Sequence, residues 1–365
     1  MSQFQIDRQQ FAHSRVVEDG LAHEPLAAGT VRVRIERFGY SANNLTYAVT
    51  GDRLGYWGFF PAAAADADAA AQTWGMTPTW GFGTVESSDC AEIPVGERLF
   101  GFFPPATHVD LLPQGIKRHV LFDGAAHRAK LPPAYNRYSR VAAEPGYDAA
   151  QDEARMLLTP LYLTGFAIAA WLGEQNDFGA RRVLVLSASS KTSIGLAYAL
   201  AERGDAPPVV AATSGRNRDF VAGLGLYAET VDYDSLEHLD PSIPTVVVDM
   251  AGDPALRARL RAHLGGALRR SVLVGLTHWD QGAADGEREP DSEFFFAPTH
   301  VQRFRHSWGE AAFAQRTGAF LRQSIGRSLG WLRFTRVVGL AGLAELYPAV
   351  CAGQVPPEQG LIIAP

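Results

Sequence analysis

The clearest indication of the fold lies in Arg181–Asn217, which has the sequence RRVLVLSASSKTSIGLAYALAERGDAPPVVAATSGRN. Val183–Leu186 is a continuous apolar run, typical of a strand buried on both faces. A loop of small residues, Ser187–Ser193, follows, and Ile194–Arg203 then carries apolar residues at helical spacing. Val209–Thr213 is a second apolar run. The order strand, loop, helix, strand indicates a dinucleotide-binding βαβ unit, in which a pyrophosphate lies on the amides of a helix N-terminus.

The loop departs from the glycine-rich pattern of such units. The expected G-x-G-x-x-G is reduced to Gly195, and hydroxyl residues and a lysine take the place of glycines. Hydroxyls and amides at a helix N-terminus bind phosphate, and a lysine neutralises its charge. The predicted cofactor-binding residues of the loop are Ser189, Ser190, Lys191, Thr192 and Ser193. Two alternatives stay open: a domain that kept its fold and lost its cofactor, or a P-loop whose glycines are missing.

The segment after the second strand bears on which cofactor is bound. NAD-specific sites place an acid there, which binds the ribose 2′-hydroxyl. This chain has Ser214, Arg216 and Arg218 at that point and no acid. Because a guanidinium matches a 2′-phosphate, these three residues predict NADP(H). The alternative is a solvated basic loop.

Composition limits the class of protein. A length of 365 residues predicts two domains, and a net charge of −6 argues against nonspecific nucleic-acid binding. Two cysteines far apart, Cys90 and Cys351, cannot form a disulfide framework or a cysteine-based zinc site, and they fit a reducing cytoplasm. Met156–Gly173 is uncharged but is interrupted by Pro160, so we expect a buried core helix and no membrane span.

The first third of the chain has the pattern of a barrel-like β domain, with short strands separated by Gly/Pro turns. The predicted strands are Thr30–Arg37, Gly81–Glu86, Arg98–Phe103, Val109–Leu112 and Val120–Phe122.

From residue 154 onward helices and strands alternate, which is typical of a doubly wound parallel sheet. The predicted helices are Ala154–Leu172, Ile194–Arg203, Arg218–Leu224, Ala255–Leu264, Ala311–Leu329 and Leu343–Ala352. The predicted strands are Val183–Leu186, Val209–Ala212, Thr245–Asp249, Ser271–Leu276, Phe294–Ala297, Thr335–Leu340 and Leu361–Ile363.

Four segments together resemble the medium-chain dehydrogenase/reductase superfamily, and within it the zinc-independent quinone oxidoreductases and enoyl reductases. VRVRIERFGYSANNLTYAVTG (Val31–Gly51) resembles that branch's strand and following turn. WGFGTVESSDCAEIPVGERLFGF (Trp80–Phe102) resembles its G-x-V…G-D-R-V segment, with Glu97 in place of the aspartate. TVVVDMAGDPALRARLRAHLGGALRRSVLVG, ending at Gly275, and LAELYPAVCAGQVPPEQGLIIAP resemble its later sheet segment and its C-terminal helix and strand.

The resemblance implies an α/β fold with a GroES-like β-barrel domain and a Rossmann domain with a doubly wound parallel sheet. The GroES-like catalytic domain would comprise residues 1–140 and 331–365, and the Rossmann cofactor-binding domain residues 141–330. It also implies that Gly275 lies at the cofactor and that Asn43 or Asn44, with Tyr47, lines the nicotinamide pocket. Tyr47 and Asn44 are therefore the predicted catalytic residues, with Tyr47 polarising a carbonyl or donating a proton. The alternative is that they only cap a turn.

The function implied is an NADPH-dependent, metal-independent reductase that passes a hydride to an enone, enoyl or quinone-type substrate. The turn Ser41–Tyr47 lacks the cysteine ligand of the zinc-dependent relatives. Aromatic residues in Gly55–Pro61 belong either to the core or to a pocket wall for a small hydrophobic or aromatic carbonyl substrate. Phe294–Val301 resembles the strand that pairs in family dimers, which predicts a homodimer.

The alternative to a reductase function is a non-catalytic nucleotide-binding or interaction protein on a reductase scaffold.

Overall fold

A computed structural model describes residues 1–63, 73–274 and 291–365. The strands of this part of the chain are β1 (Ser2–Asp7), β2 (Ser14–Glu18), β3 (Val31–Tyr40), β4 (Trp74–Gly75), β5 (Thr79–Ser88), β6 (Arg98–Phe103), β7 (His108–Leu111), β8 (Pro113–Lys117), β9 (Val120–Asp123), β10 (Arg137–Arg140), β11 (Arg182–Leu186), β12 (Val209–Thr213), β13 (Glu229–Asp232), β14 (Thr245–Asp249), β15 (Leu268–Leu273), β16 (Ser292–Phe294), β17 (Arg333–Val338) and β18 (Gln359–Ala364).

The α-helices of the same residues are α1 (Ala42–Val49), α2 (Gly51–Leu54), α3 (Asp152–Glu174), α4 (Lys191–Arg203), α5 (Arg218–Gly223), α6 (Pro254–Leu264), α7 (Ala297–Trp308), α8 (Glu310–Ser328) and α9 (Gly339–Cys351). The predicted α/β fold class, with a parallel sheet following a β-rich first part, is confirmed.

The chain divides into two compact units. The β unit comprises Met1–Leu157 and Leu332–Pro365, and the Rossmann unit comprises Leu158–Trp331. The first boundary lies inside α3, later than the residue 140 expected from the sequence. The segment before α3 is built into the β unit, because Arg98 on β6 donates hydrogen bonds to Tyr147 and Asp152.

The β unit is organised around β3. This strand pairs antiparallel with β5, β7 and β18 in a nine-stranded sheet, and β1 forms a smaller sheet with β2 and β4. Val31, Val33 and Ile35 point to the core in alternation, as the predicted half-buried strand requires. Helix α9 covers this core with Leu343 and Tyr347, which are both fully buried.

The Rossmann unit is a six-stranded parallel sheet in the order β13-β12-β11-β14-β15-β16. Every residue of β11, β12 and β14 is buried, which explains their unbroken apolar sequences. One prediction is wrong here. Phe294–Val301 is not a strand, because only Ser292–Phe294 pairs with β15 and Ala297–Trp308 is helical. Pro298 lies in the first turn of that helix, where the missing N–H of a proline costs nothing.

The turn between α3 and β11 is left-handed over four residues. Asn176, Asp177 and Phe178 have φ values of 51°, 47° and 55°, and Gly179 continues with φ 68°. A side chain in this region costs roughly 1–2 kcal/mol per residue. Arg203 at the end of α4 offsets that cost, since its guanidinium donates two hydrogen bonds of 2.9 and 2.7 Å to the buried Asp177 carboxylate.

Helix α3 packs closely on α4. A Cβ on Gly195 would lie 2.6 Å from Cδ1 of Tyr162, and one on Gly165 would lie 2.4 Å from the backbone nitrogen of Leu196. Together with the turn before it, α3 is apolar enough to cross a membrane by length and composition alone, yet 61% of its most apolar window is buried inside the protein. That burial matches the predicted core helix. Because a Cβ at Gly195 would collide with Tyr162, this remaining glycine of the loop pattern serves the packing of α3 on α4.

This contact predicts opposite effects of alanine at two helical glycines. Gly195→Ala forces α3 and α4 apart, and we expect it to lower the free energy of unfolding by about 1–3 kcal/mol. Gly326→Ala on α8, where a Cβ meets no atom within 4 Å, should raise it by about 0.5–1 kcal/mol. Chemical denaturation of both variants measures the difference. Equal effects of the two substitutions would contradict the close packing.

Candidate functional site

Three segments converge at the carboxyl edge of the parallel sheet. They follow β11, β12 and β13, which are neighbours in the sheet. The first is the loop Ser187–Ser190, the second begins at Ser214, and the third is Asp232 with Tyr233. Open α/β sheets bind ligands at this edge. The structure therefore brings together all the predicted cofactor-binding residues that it describes; Gly275 lies outside the described residues.

Ser187 takes the backbone conformation for which glycine is usually required. Its φ is 54°, in the left-handed region. Two tyrosine hydroxyls hold this conformation from outside the loop. The Ser187 amide donates to Oη of Tyr233 at 2.8 Å, and Oη of Tyr227 donates to the carbonyl of Ala188 at 3.0 Å. Burial raises the pKa of Tyr233 to about 12, so its hydroxyl stays neutral at physiological pH.

The loop also holds itself through serine hydroxyls. Ser190 is the N-cap of α4, and its Oγ accepts the Ser193 amide at 3.2 Å. Oγ of Ser193 donates to the carbonyl of Ser187 at 2.9 Å, which joins the two ends of the loop. These two predicted phosphate-binding side chains are therefore engaged in shaping the loop.

Ser189 connects the loop to the segment after β12. It is buried, and its Oγ accepts hydrogen bonds from Asn217 at 3.0 Å and from Thr213 at 3.5 Å. No sequence pattern indicates this connection, since Asn217 lies 28 residues further along the chain. The contact fixes the spacing between the two loops that a dinucleotide would span.

Lys191 and Thr192 are the first two residues of α4, and both are partly exposed. Their amides belong to the turn that carries the positive end of the helix dipole. Beside them, Ser214 precedes a short 3-10 turn, Gly215–Asn217, and the side chains of Arg216 and Arg218 are exposed. This edge of the sheet thus presents helix amides and three cationic residues.

The turn that contains the predicted catalytic residues lies in the β unit. Ser41 and Asn44 form a capping box at the start of α1, in which the Ser41 amide donates to Oδ1 of Asn44 at 2.9 Å. Nδ2 of Asn44 donates to the carbonyl of Pro78 at 3.0 Å. Both ends of the buried Asn44 amide therefore fix the turn. The structure instead places the Asn43 side chain at the hydroxyl of Tyr47.

Tyr47 lies in a buried aromatic cluster. Its ring stacks on Tyr56 at 4.4 Å and meets Phe102 edge-on at 5.8 Å, and its hydroxyl faces Asn43 and Trp80. Burial raises the pKa of Tyr47 well above its ordinary value. Tyr47 is therefore a neutral hydroxyl at physiological pH, able to donate a hydrogen bond or a proton but not to act as a base.

A fully buried arginine, Arg128, holds one member of this cluster, Tyr135, in place. Arg128 donates to the Asp123 carboxylate at 2.8 Å and to the carbonyl of Tyr135 at 2.7 Å. Tyr135 in turn stacks on Phe102 at 4.6 Å, and its hydroxyl is 3.1 Å from that of Tyr56. The aromatic residues of Gly55–Pro61 therefore belong to the core, which was one of the two interpretations of the sequence. They also surround the Tyr47 side chain.

In residues 1–63, 73–274 and 291–365, no three His, Cys, Asp or Glu side chains lie close enough together to hold a metal ion. Cys90 and Cys351 are both free thiols.

Solved structures share this fold over the whole chain. CurA from Vibrio vulnificus, in complex with NADPH, is 14% identical with a TM-score of 0.60, and the match covers 100% of this chain and 99% of that one. The yhdH oxidoreductase from Salmonella enterica, in complex with NADP, is 15% identical with a TM-score of 0.53 and is covered completely, as is this chain. A quinone oxidoreductase from Pseudomonas syringae pv. Tomato DC3000 is 15% identical with a TM-score of 0.56, covering 100% of this chain and 99% of that one.

These neighbours confirm the predicted α/β fold over the whole length of the chain. No curated protein matches the sequence significantly. Residues 38–356 match a family whose description is "Protein of unknown function (DUF2855)". That match covers most of the chain, and the chain belongs to this family.

Proposed function

We propose that the chain is an NADP(H)-dependent, metal-independent oxidoreductase that reduces an enone, enoyl or quinone-type substrate. The observation that carries the proposal is the convergence of the loops after β11, β12 and β13 at one edge of the sheet, with helix amides and cationic residues. Similar folds bind NADPH in CurA and NADP in yhdH, which supports the same cofactor here. The free cysteines support a reducing compartment such as the cytoplasm. The homodimer stays a prediction, because the strand from which it was inferred, Phe294–Val301, is mostly helical.

The donor set fits a dinucleotide diphosphate. The Ser193–Ser187 and Ser190–Ser193 hydrogen bonds hold the loop in the shape that brings the first turn of α4 to the sheet edge. The amides of Lys191 and Thr192 would meet the pyrophosphate there, and the Lys191 ammonium would neutralise it. Arg216 and Arg218 would bind the 2′-phosphate, because guanidinium groups pair with phosphate through two parallel hydrogen bonds.

When bound, the nicotinamide supplies the hydride. Tyr47 would donate a hydrogen bond from Oη to the substrate oxygen and stabilise the negative charge that develops on it. Asn44 fixes the turn that carries Tyr47, through its hydrogen bonds to Ser41 and Pro78. The aromatic rings around Tyr47 favour a hydrophobic or aromatic carbonyl substrate, because they exclude water from the donor.

A second candidate is a non-catalytic nucleotide-binding or interaction protein on the same scaffold. One observation favours it: the hydroxyls of Ser189, Ser190 and Ser193 are all engaged within the protein. A loop that satisfies its own polar groups is stable without a ligand. A protein that binds no dinucleotide would support the second candidate, and turnover of NADPH would exclude it.

The oxidoreductase proposal predicts that NADPH stabilises the protein. A ligand at a hundredfold excess over its Kd adds about 2.7 kcal/mol to the free energy of unfolding, which raises Tm by several degrees. Thermal denaturation with NADPH, NADP and NAD at millimolar concentration measures this. An unchanged Tm with every dinucleotide would support the second candidate and contradict the oxidoreductase.

The role of Tyr47 predicts a selective loss of turnover. Tyr47→Phe keeps the ring in its cluster and removes only the hydroxyl, so kcat should fall about 10²-fold while the Kd of NADPH stays the same. The assay follows NADPH oxidation with 2-cyclohexenone and 1,4-naphthoquinone as probes. Tyr147→Phe, a tyrosine of the β unit outside the cluster, is the control and should retain full turnover. Unchanged kcat in Tyr47→Phe would remove Tyr47 from the reaction.

A further inference from the structure

The structure brings an acid to the place where the sequence shows none. No acid follows β12 directly, but β13 runs parallel beside it, and Thr213 pairs with Asp232 at the carboxyl ends of the two strands. A Cβ on Gly215 would lie only 2.8 Å from Oδ2 of Asp232. The carboxylate therefore lies directly against the Gly215 backbone, one residue from Arg216.

This carboxylate is fixed in place. Its other oxygen, Oδ1, accepts the amide of Asp234 at 3.1 Å and caps the short helix that follows β13. The next residue, Tyr233, is bound to the Ser187 amide of the loop after β11. The end of β13 is thus tied to both loops that a dinucleotide would contact, and Asp232 cannot turn away from Gly215 without losing its cap.

We infer that Asp232 is a specificity-determining residue that limits the preference for NADPH over NADH, so that the protein binds both. The inference rests on the proposed function. A carboxylate at Gly215 accepts a hydrogen bond from a ribose 2′-hydroxyl and repels a 2′-phosphate at the same position. Arg216 acts in the opposite sense, because its guanidinium attracts the phosphate. The two side chains set the ratio of the two affinities between them.

Fluorescence titration with NADPH and NADH tests this inference. Asp232→Asn removes the charge and retains a residue that caps helices well. We expect NADPH to bind about tenfold more tightly and NADH more weakly, since one charge at contact distance changes such equilibria by a factor of ten or more. Arg216→Ala should weaken NADPH by about tenfold and leave NADH unchanged. Asp232→Ser, which is also a capping residue, repeats the test should the asparagine variant be unstable.

Asp234→Asn is the matched control, because it removes the same charge two residues away from an exposed position that does not contact Gly215. Its affinity ratio should equal that of the unmodified protein. If the unmodified protein binds a dinucleotide and Asp232→Asn leaves the ratio of the two affinities unchanged, the inference fails while the proposed function stands. If the unmodified protein binds neither dinucleotide, the proposed function itself fails, and the inference fails with it.

Discussion

The hydrogen bond from Oγ of Ser193 to the carbonyl of Ser187 is the contact on which the candidate site depends. It closes the loop between β11 and α4 and fixes where the N-terminus of α4 lies. In a glycine-rich loop, small residues let the backbone take this shape without support. Here Ser187 lies in the left-handed region at a cost of roughly 1–2 kcal/mol. The hydrogen bonds made by Ser190, Ser193 and Tyr233, each contributing about 0.5–1.5 kcal/mol, offset it.

In this loop the residues that hold the backbone differ from those of a glycine-rich loop. Serine hydroxyls and two tyrosines maintain the backbone, and Gly195 allows α3 to approach α4. We propose that phosphate binds to the amides and the ammonium at the start of α4. The serine hydroxyls hold the loop in shape, and the proposed binding element is the first turn of the helix.

Much of the fold was predictable because buried parallel strands are short apolar runs. The ends of the predicted strands Val183–Leu186 and Thr245–Asp249 agree within one residue with those of β11 and β14. The strand expected at Phe294–Val301 was wrong because a short apolar run fits a strand and a helix equally well, and only pairing with β15 shows where the strand ends.

The site was less accessible to sequence analysis, because its contacts join distant residues. Asp232, at the end of β13, lies against Gly215, which follows the neighbouring strand β12. Asn217, in the loop after β12, donates a hydrogen bond to Ser189 in the loop after β11. The choice between Asn43 and Asn44 also needed the structure, since neighbouring residues of a helix point about 100° apart. Asn44 caps α1, and Asn43 lies near the hydroxyl of Tyr47. One available signal was the sequence VDYDS after the third strand, where an acid and a tyrosine follow a predicted sheet edge.

A crystal structure of the protein grown with millimolar NADPH would show directly whether the N-terminus of α4 binds the pyrophosphate. We expect pyrophosphate oxygens within hydrogen-bonding distance of the amides of Lys191 and Thr192, with the Ser193–Ser187 hydrogen bond intact. Crystals in which that helix N-terminus binds no phosphate, or in which NADPH lies elsewhere, would contradict the proposed site.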